Sequence, residues 1–417
     1  MEIKRDIYLK RLIDRMHNGM IKIITGIRRS GKSYLLLKLF RNHLLASGVP
    51  EDHILVMAFD RVENKPYCDP DRFITYFHEF VKDDGDYYVL LDEVQNLGDF
   101  EAVLNSFLYE EHVDAYVTGS NSRFLSTDVI TEFRGRGDEV HIYPLSFAEF
   151  MTVYDGDMYH GWLQYLLYGG LPLAVTLKSN EQRESYLIHL FQTTYFKDII
   201  ERNHLEKTQE LEDLVDVLAS SVGSLTNPSK ILATFQSRLH SSISLNTIVH
   251  YISFLKEAFI LQEAKRYDVK GRKYIGTPFK YYFEDIGLRN ARLRFRQTDE
   301  PHLMENILYN ELRLRGYQVD VGSVAQRARN DNGVRQLKRL EVDFVANLGS
   351  KRYYIQSAYA IPDEEKRRQE KASLLALRDS FKKIIVVNGF VPVWRDDDGI
   401  LTAPLLDFLL DPKSLDW

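Results

Sequence analysis

The chain has 417 residues, 44% of them hydrophobic and 27% charged, with a net charge of −6. That length exceeds what one hydrophobic core organises, so two to four domains are expected. The acidic balance excludes a general attraction to nucleic acid, no uncharged apolar run approaches the roughly 18 residues of a membrane span, and a single cysteine, Cys68, excludes an intramolecular disulfide.

The opening MEIKRDIYLKRLIDRM lacks the apolar core of a secretory signal, and with one cysteine the expected location is the cytoplasm. Ile3, Ile7, Tyr8, Leu12, Ile13 and Met16 recur at helical spacing and predict an amphipathic lead-in helix. Strands are predicted at Ile21–Thr25, His53–Phe59, Tyr87–Leu91, Ala115–Thr118 and Val140–Tyr143. Helical patterns at Ser33–Leu45, Asp71–Val81 and Asp99–Leu108 lie between them. Val/Ile/Leu-rich strands alternating with helices predict a parallel sheet covered on both faces.

The first strand runs into Gly26-Ile-Arg-Arg-Ser-Gly31-Lys32-Ser33, which fits G-x-x-x-x-G-K-[ST] with a strand before it and a helix after it. In such a loop, successive backbone N–H groups turn onto phosphate oxygens and the helix N-terminus adds partial positive charge. Gly26, Arg29, Ser30, Gly31, Lys32, Ser33 and Tyr34 form the predicted cradle for a nucleoside triphosphate. Lys32 reaches the β- and γ-phosphates, and Ser33 ligates Mg²⁺. Tyr87–Leu91 then ends in Asp92-Glu93, where Asp92 is placed to hold the metal and Glu93 to activate water. The tip Thr118-Gly-Ser120-Asn121-Ser serves either as a γ-phosphate sensor or as a capping turn. In Phe133-Arg134-Gly-Arg136-Gly137, Arg136, with Arg134 as runner-up, is a candidate arginine finger acting on a neighbouring copy.

From about residue 146 helices dominate to about 206, interrupted by Gly169-Gly170-Leu171-Pro172. Two helices, Ile231–Leu239 and Leu245–Leu255, break at Ser242–Ser244 and precede a hairpin around Lys270-Gly-Arg272. Asn246, Thr247, His250 and Tyr251 are expected on the exposed face of the second helix. Residues 265–296 hold ten Lys/Arg against three Asp/Glu. A winged helix contacting double-stranded DNA through Lys265, Arg266, Lys270, Arg272 and Lys273 is the favoured reading, and a packing module the other. After residue 300 come a helix (His302–Arg315), strands at Gln318–Val321, Glu341–Ala346, Arg352–Ser357 and Lys383–Val387, and a charged helix (Asp363–Asp379). Ala325–Gly333 reads as a loop.

The ordered set GIRRSGKS, YYVLLDEVQ, VTGSNS, FRGRG, YPLSFAEF and YGGLP resembles the predicted prokaryotic AAA+ ATPases that carry a C-terminal domain of unknown function. The resemblance runs over essentially the whole chain and is most specific in the first 175 residues. It implies an α/β fold: a AAA+ core at 1–150, a helical lid at 151–206, a winged helix at 207–280 and a restriction-endonuclease-like domain at 281–417. It also implies ATP with Mg²⁺, Ser120 or Asn121 as the sensor, Arg136 as the finger in a homo-oligomer, and Pro172 near the adenine. Glu305, Glu311, Glu341, Asp343, Gln356 and Ala358 fall in the order of a PD-(D/E)XK nuclease, but Gln356 and Ala358 stand where that pattern has Glu and Lys. A Gln supplies no anion for Mg²⁺ and an Ala no cation, so the expectation is a nuclease-like fold that does not cut. Two alternatives stay open: an ATP-regulated nuclease, and a slow nucleotide-gated switch acting on protein partners.

Overall fold

The computed structural model describes residues 3–119, 135–206, 208–297, 299–329 and 335–417. The chain divides into two units, Met1–Pro144 with Glu257–Phe259, and Leu145–Lys256 with Ile260–Trp417.

In the first unit β1 (Ile21–Thr25), β2 (Ile54–Ala58), β3 (Tyr87–Asp92), β4 (Val113–Thr118) and β5 (Gly137–His141) form one sheet in the order β2-β3-β4-β1-β5. Every neighbouring pair is parallel. Parallel pairing forces each connection to cross over the sheet; α1 (Asp6–Ile13), α2 (residues 32–46), α3 (Pro70–Phe80) and α4 (Phe100–Phe107) supply the cover. Helix α3 starts where its chemistry dictates: Asp69 accepts the Arg72 amide at 3.0 Å, and Pro70 takes the first turn, where no amide is missed. One sheet face (Ile21, Ile23, Leu55, Met57, Val89, Leu91, Ala115, Val117) packs on Phe73 and Phe77 of α3 and on Leu104 and Phe107 of α4. On the other face Phe40 of α2 meets Tyr116 at 4.4 Å between ring centres. The expected α/β class is what the chain adopts. Strand β5 starts three residues before the apolar run at Val140, because an edge strand with one neighbour tolerates Asp138 and Glu139.

The sheet also buries a charge. Lys22 on β1 is fully buried and pairs with Asp114 on β4. Asp114 also accepts the Tyr116 hydroxyl at 3.0 Å and the His17 amide at 3.1 Å. Burial pulls the Lys22 pKa down, and Asp114 opposes it. Removing one partner of such a pair strands the other. Asp114→Ala is therefore expected to cost about 3–5 kcal/mol in urea unfolding. The double replacement Lys22→Met, Asp114→Leu should recover most of that loss.

The second unit begins with helices α5 (Phe147–Met151), α6 (Met158–Tyr168), α7 (Pro172–Thr176), α8 (residues 180–203), α9 (Thr208–Ser220), α10 (residues 228–239) and α11 (Leu245–Glu257, its last residue falling in the first unit). The strands are β6 (Leu261–Asp268), β7 (Lys273–Phe283), β8 (Gln318–Arg329), β9 (Arg335–Leu348), β10 (Lys351–Ala358), β11 (Lys382–Val387), β12 (Trp394–Arg395) and β13 (Leu401–Pro404). They form one sheet in the order β12-β13-β11-β10-β9-β8-β6-β7. Helices α12 (Ile286–Arg292), α13 (Glu300–Leu314), α14 (Glu364–Leu375) and α15 (Leu405–Leu410) complete the unit.

Three expectations need correction here. The boundary expected at 280 separates the hairpin from the last domain, yet β6 pairs in parallel with β8, so hairpin and C-terminal strands share one sheet. The loop expected at 325–333 is strand as far as Arg329, paired through Arg329–Arg335; residues 330–333 lie outside the described residues. Tyr251, expected on the exposed face of α11, is 5% exposed and packs inward, while Asn246 and His250 are exposed and Thr247 is half-buried against the Ser244 cap. Among the described residues no helix is long and apolar enough to cross a membrane.

Candidate nucleotide site

Parallel pairing brings the C-terminal ends of β1, β3 and β4 to one edge of the sheet. After Thr25 the chain turns at Gly26, with φ +135°, close under the end of β5: a Cβ there would lie 2.2 Å from the Ile142 carbonyl oxygen. Gly31, with φ +99°, closes the loop and opens α2. The loop is clamped from the lead-in segment. Arg5, 4% exposed, donates to the Ser30 carbonyl at 3.1 Å and to the Tyr143 carbonyl at 2.6 Å. The Tyr143 amide in turn donates to the Tyr8 hydroxyl at 3.1 Å. Lys32 is buried, its ammonium donating to the carbonyls of Gly26 (2.8 Å) and Ile27 (3.1 Å). The Ser30 and Tyr34 hydroxyls are buried with no hydrogen-bond partner among the described residues, and Arg29, with φ +64°, is exposed.

Asp92 ends β3 and is 4% exposed. Its carboxylate receives hydrogen bonds from Thr118 at the end of β4 and from Ser33 at the start of α2. Thr118 Oγ1 also accepts the Glu93 amide at 3.0 Å, so one hydroxyl fixes both acidic residues. Glu93 is held in the left-handed region (φ +51°), a strain of about 1 kcal/mol or more that persists only where neighbours impose it. Its carboxylate is engaged by the Gln95 side chain. Burial raises the Asp92 pKa above the usual 3.8, with Glu93 and Asp60 adding to it and the two hydroxyls opposing.

The residues fit a nucleoside triphosphate with Mg²⁺. The Ser30 hydroxyl, buried and without a hydrogen-bond partner among the described residues, suits phosphate. The Ser33 hydroxyl beside a buried carboxylate offers the hard oxygen donors that Mg²⁺ takes.

A family model described as an AAA domain matches residues 18–151, and one described as a domain of unknown function (DUF8612) matches residues 159–299. An uncharacterised protein of Haemophilus influenzae is 32% identical over 98% of this chain and 98% of its own length. An uncharacterised protein of Methanocaldococcus jannaschii is 23% identical over 95% of this chain and 88% of its own. The chain belongs to the AAA+ P-loop family. Among solved structures, that of the Aeropyrum pernix Orc1 protein in complex with DNA is similar at 14% identity, covering 70% of this chain and 92% of that one with a TM-score of 0.29.

The other expected site residues of this AAA+ chain are scattered. Ser120, Asn121 and Arg134 lie outside the described residues. Arg136 is exposed at the opposite edge of the sheet, where its carbonyl accepts the Ile21 amide at 2.9 Å. The length of β1, about 13 Å at ~3.3 Å per residue, separates its backbone from the P-loop of the same chain. Pro172 opens α7 in the second unit. The glycines before it serve close packing: a Cβ on Gly170 would lie 2.2 Å from the Leu145 carbonyl, and the Gly170 amide donates to Asp285 at 2.8 Å. Lys265, Lys270, Arg272 and Lys273 are exposed, while Arg266 is half-buried beside Ser323. The local basic excess is less superficial than its count implies, because Lys280 and Arg289 are buried. Gln356 receives the Ser373 hydroxyl at 3.3 Å, and Ala358 is 1% exposed.

Sequence reasoning missed Arg5, Tyr8 and the double role of Thr118; none carries a local pattern, since each acts on residues 25 or more positions away. Gly26→Ala in this AAA+ core should lower affinity for a fluorescent ATP analogue by about tenfold or more, since each ~1.4 kcal/mol of misfit costs a factor of ten. A fluorescence titration measures it.

Proposed function

We propose that this AAA+ chain binds ATP with Mg²⁺ and hydrolyses it, coupling nucleotide state to a conformational change in a C-terminal half that contacts double-stranded DNA. The observation that carries the reading is the meeting of Ser33, Asp92 and Glu93 at one strand end, tied by the Thr118 hydroxyl. Backbone N–H groups of 26–33 bind the phosphates, and Lys32 leaves its two carbonyls to pair with the β- and γ-oxygens. Ser33 and Asp92 hold Mg²⁺, which supplies positive charge to the phosphate oxygens. Glu93 orients the attacking water and takes its proton. Arg136, remote from its own P-loop, serves that of a second copy, so turnover requires a homo-oligomer. The exposed Lys265, Lys270, Arg272 and Lys273 supply phosphate contacts whose affinity falls with salt. A cytoplasmic location fits the lone half-buried Cys68.

One observation favours a slow switch as the second reading: Gln95 holds the Glu93 carboxylate. Steady-state hydrolysis separates the two. Lys32→Ala and Glu93→Gln should each abolish turnover. Arg136→Ala should lose it too and regain part of it when mixed with Glu93→Gln, because the Glu93→Gln copy supplies its arginine to a site whose Glu93 is intact. If Gln95 is a brake, Gln95→Ala raises the rate severalfold. DNA should stimulate a coupled enzyme and leave a switch unchanged.

The Asp92 shift gives a pH dependence with a definite sign. A carboxyl whose pKa is raised takes up its proton earlier on acidification, and only the ionised form holds a cation. Mg²⁺-dependent ATP affinity should therefore begin to fall at pH values above those where an ordinary Asp titrates near 3.8. Affinity measured without Mg²⁺ should lack that acid limb.

A further inference from the structure

Strands β8 and β9 stay paired beyond the sheet that roots them. Strand β6 leaves β8 at Ser323, and β10 leaves β9 at Phe344. The β8–β9 ladder nevertheless runs on from the Ala325–Arg339 pair to the Arg329–Arg335 pair. Four steps of about 3.4 Å make an arm of about 14 Å, with no third strand beside it among the described residues. Leu337, Lys338 and Arg339 are all exposed, Leu337 by 60%. Successive residues of a strand point to opposite faces, so at this level neither face of the arm is covered.

A two-stranded ribbon is marginal in water, and one that buries neither face gains little against the entropy of ordering it. Stability does not account for such an arm; a partner does. Its chemistry narrows the partner. Residues 325–340 hold five Lys/Arg against one Asp, and no aromatic residue, in a chain whose net charge is −6. Protein interfaces enrich aromatic side chains and deplete Lys, whereas interfaces with DNA are polar and strongly positive. The major groove, about 12 Å wide and about 8.5 Å deep, admits a two-stranded β-ribbon, and the arm is longer than the groove is deep. A second basic element lies at the base of the arm. The Lys270 ammonium donates to the Ala325 carbonyl at 2.8 Å, and Arg272 and Lys273 of the same hairpin are exposed.

We propose that the β8–β9 ribbon is an arm that enters the major groove of double-stranded DNA, with the β6–β7 tip at its base resting on the phosphate backbone. The proposal rests on the reading that the C-terminal half contacts duplex DNA, and adds to it the element that reaches into the groove.

The test titrates full-length protein into a fluorescently labelled duplex and follows anisotropy. Lys338→Gln, Arg339→Gln should lower affinity about tenfold or more, while thermal unfolding stays at the wild-type value and a fluorescent ATP analogue binds as before. Methylation of guanine N7, a major-groove atom, should weaken wild-type binding severalfold and leave the residual binding of the arm variant unchanged. Arg272→Gln, Lys273→Gln should lose affinity through phosphate contacts alone, flattening the salt slope by about two and keeping the methylation response. Duplex affinity in the arm variant equal to wild type overturns the proposal and leaves the hairpin contact standing, as does a wild type indifferent to N7 methylation. Single-stranded DNA bound as tightly as duplex overturns groove entry. A wild type that binds no duplex overturns the reading beneath the proposal, and the proposal with it.

Discussion

Parallel register is the constraint on which the candidate site rests. Because β1, β3 and β4 run the same way, Thr25, Asp92 and Thr118 end at one edge although more than twenty residues separate each from the next. The P-loop leaves one of those ends, and the acidic pair leaves another. Thr118 closes the arrangement by donating its hydroxyl to Asp92 and accepting the Glu93 amide, so the ends of β3 and β4 share a single polar node. Gly26 can lie as close to β5 as it does only because it lacks a side chain. The lead-in helix adds a clamp from outside the sheet, Arg5 spanning the Ser30 and Tyr143 carbonyls.

Both units bury a lysine in a sheet, with different energetic logic. At Lys22 charges match one to one, and Tyr116 and His17 satisfy the remaining lone pairs of Asp114. At Lys280, which faces Glu305, Glu341 and Asp343, negative charge is in excess, and the site tolerates it by shifting the Asp343 proton equilibrium and by leaving Glu341 35% exposed at its side chain, where water screens it. The GLP turn shows a third solution. Asp285, fully buried, is raised to about 6 by desolvation while amides of Gly170, Leu288 and Gly287 draw it back.

Much of the first unit was legible. Its strands are short runs of Ile, Val and Leu between helices with sharp N-caps, and the phosphate loop is a contiguous motif whose context can be checked along the chain. Asp92 and Glu93 could be found because they follow a strand. Arg5, Thr118 and Lys280 could not, because each matters for what folding brings to it from a distance. The C-terminal half was harder for a different reason. Residues 325–329 hold no β-branched or aromatic side chain, so they read as a loop until their pairing with β9 is known. The basic run from 265 to 296 lies only partly at the surface, because Lys280 and Arg289 compensate buried carboxylates and carbonyls; charge counted along a sequence does not say which side of the surface it occupies.

The continuity of β6 with β8 bears on mechanics. A wing hanging from a lone helix pair could pivot as a light lever, absorbing a load by bending at its root. Here the tip at residues 269–272 is rooted in eight strands, with the Lys270 ammonium on the Ala325 carbonyl as a further tie. A pull on the tip loads ladder hydrogen bonds in shear, many at once, so the hairpin behaves as a girder. Force applied there is handed to the sheet that contains Glu341 and Asp343 with little lost to flexure.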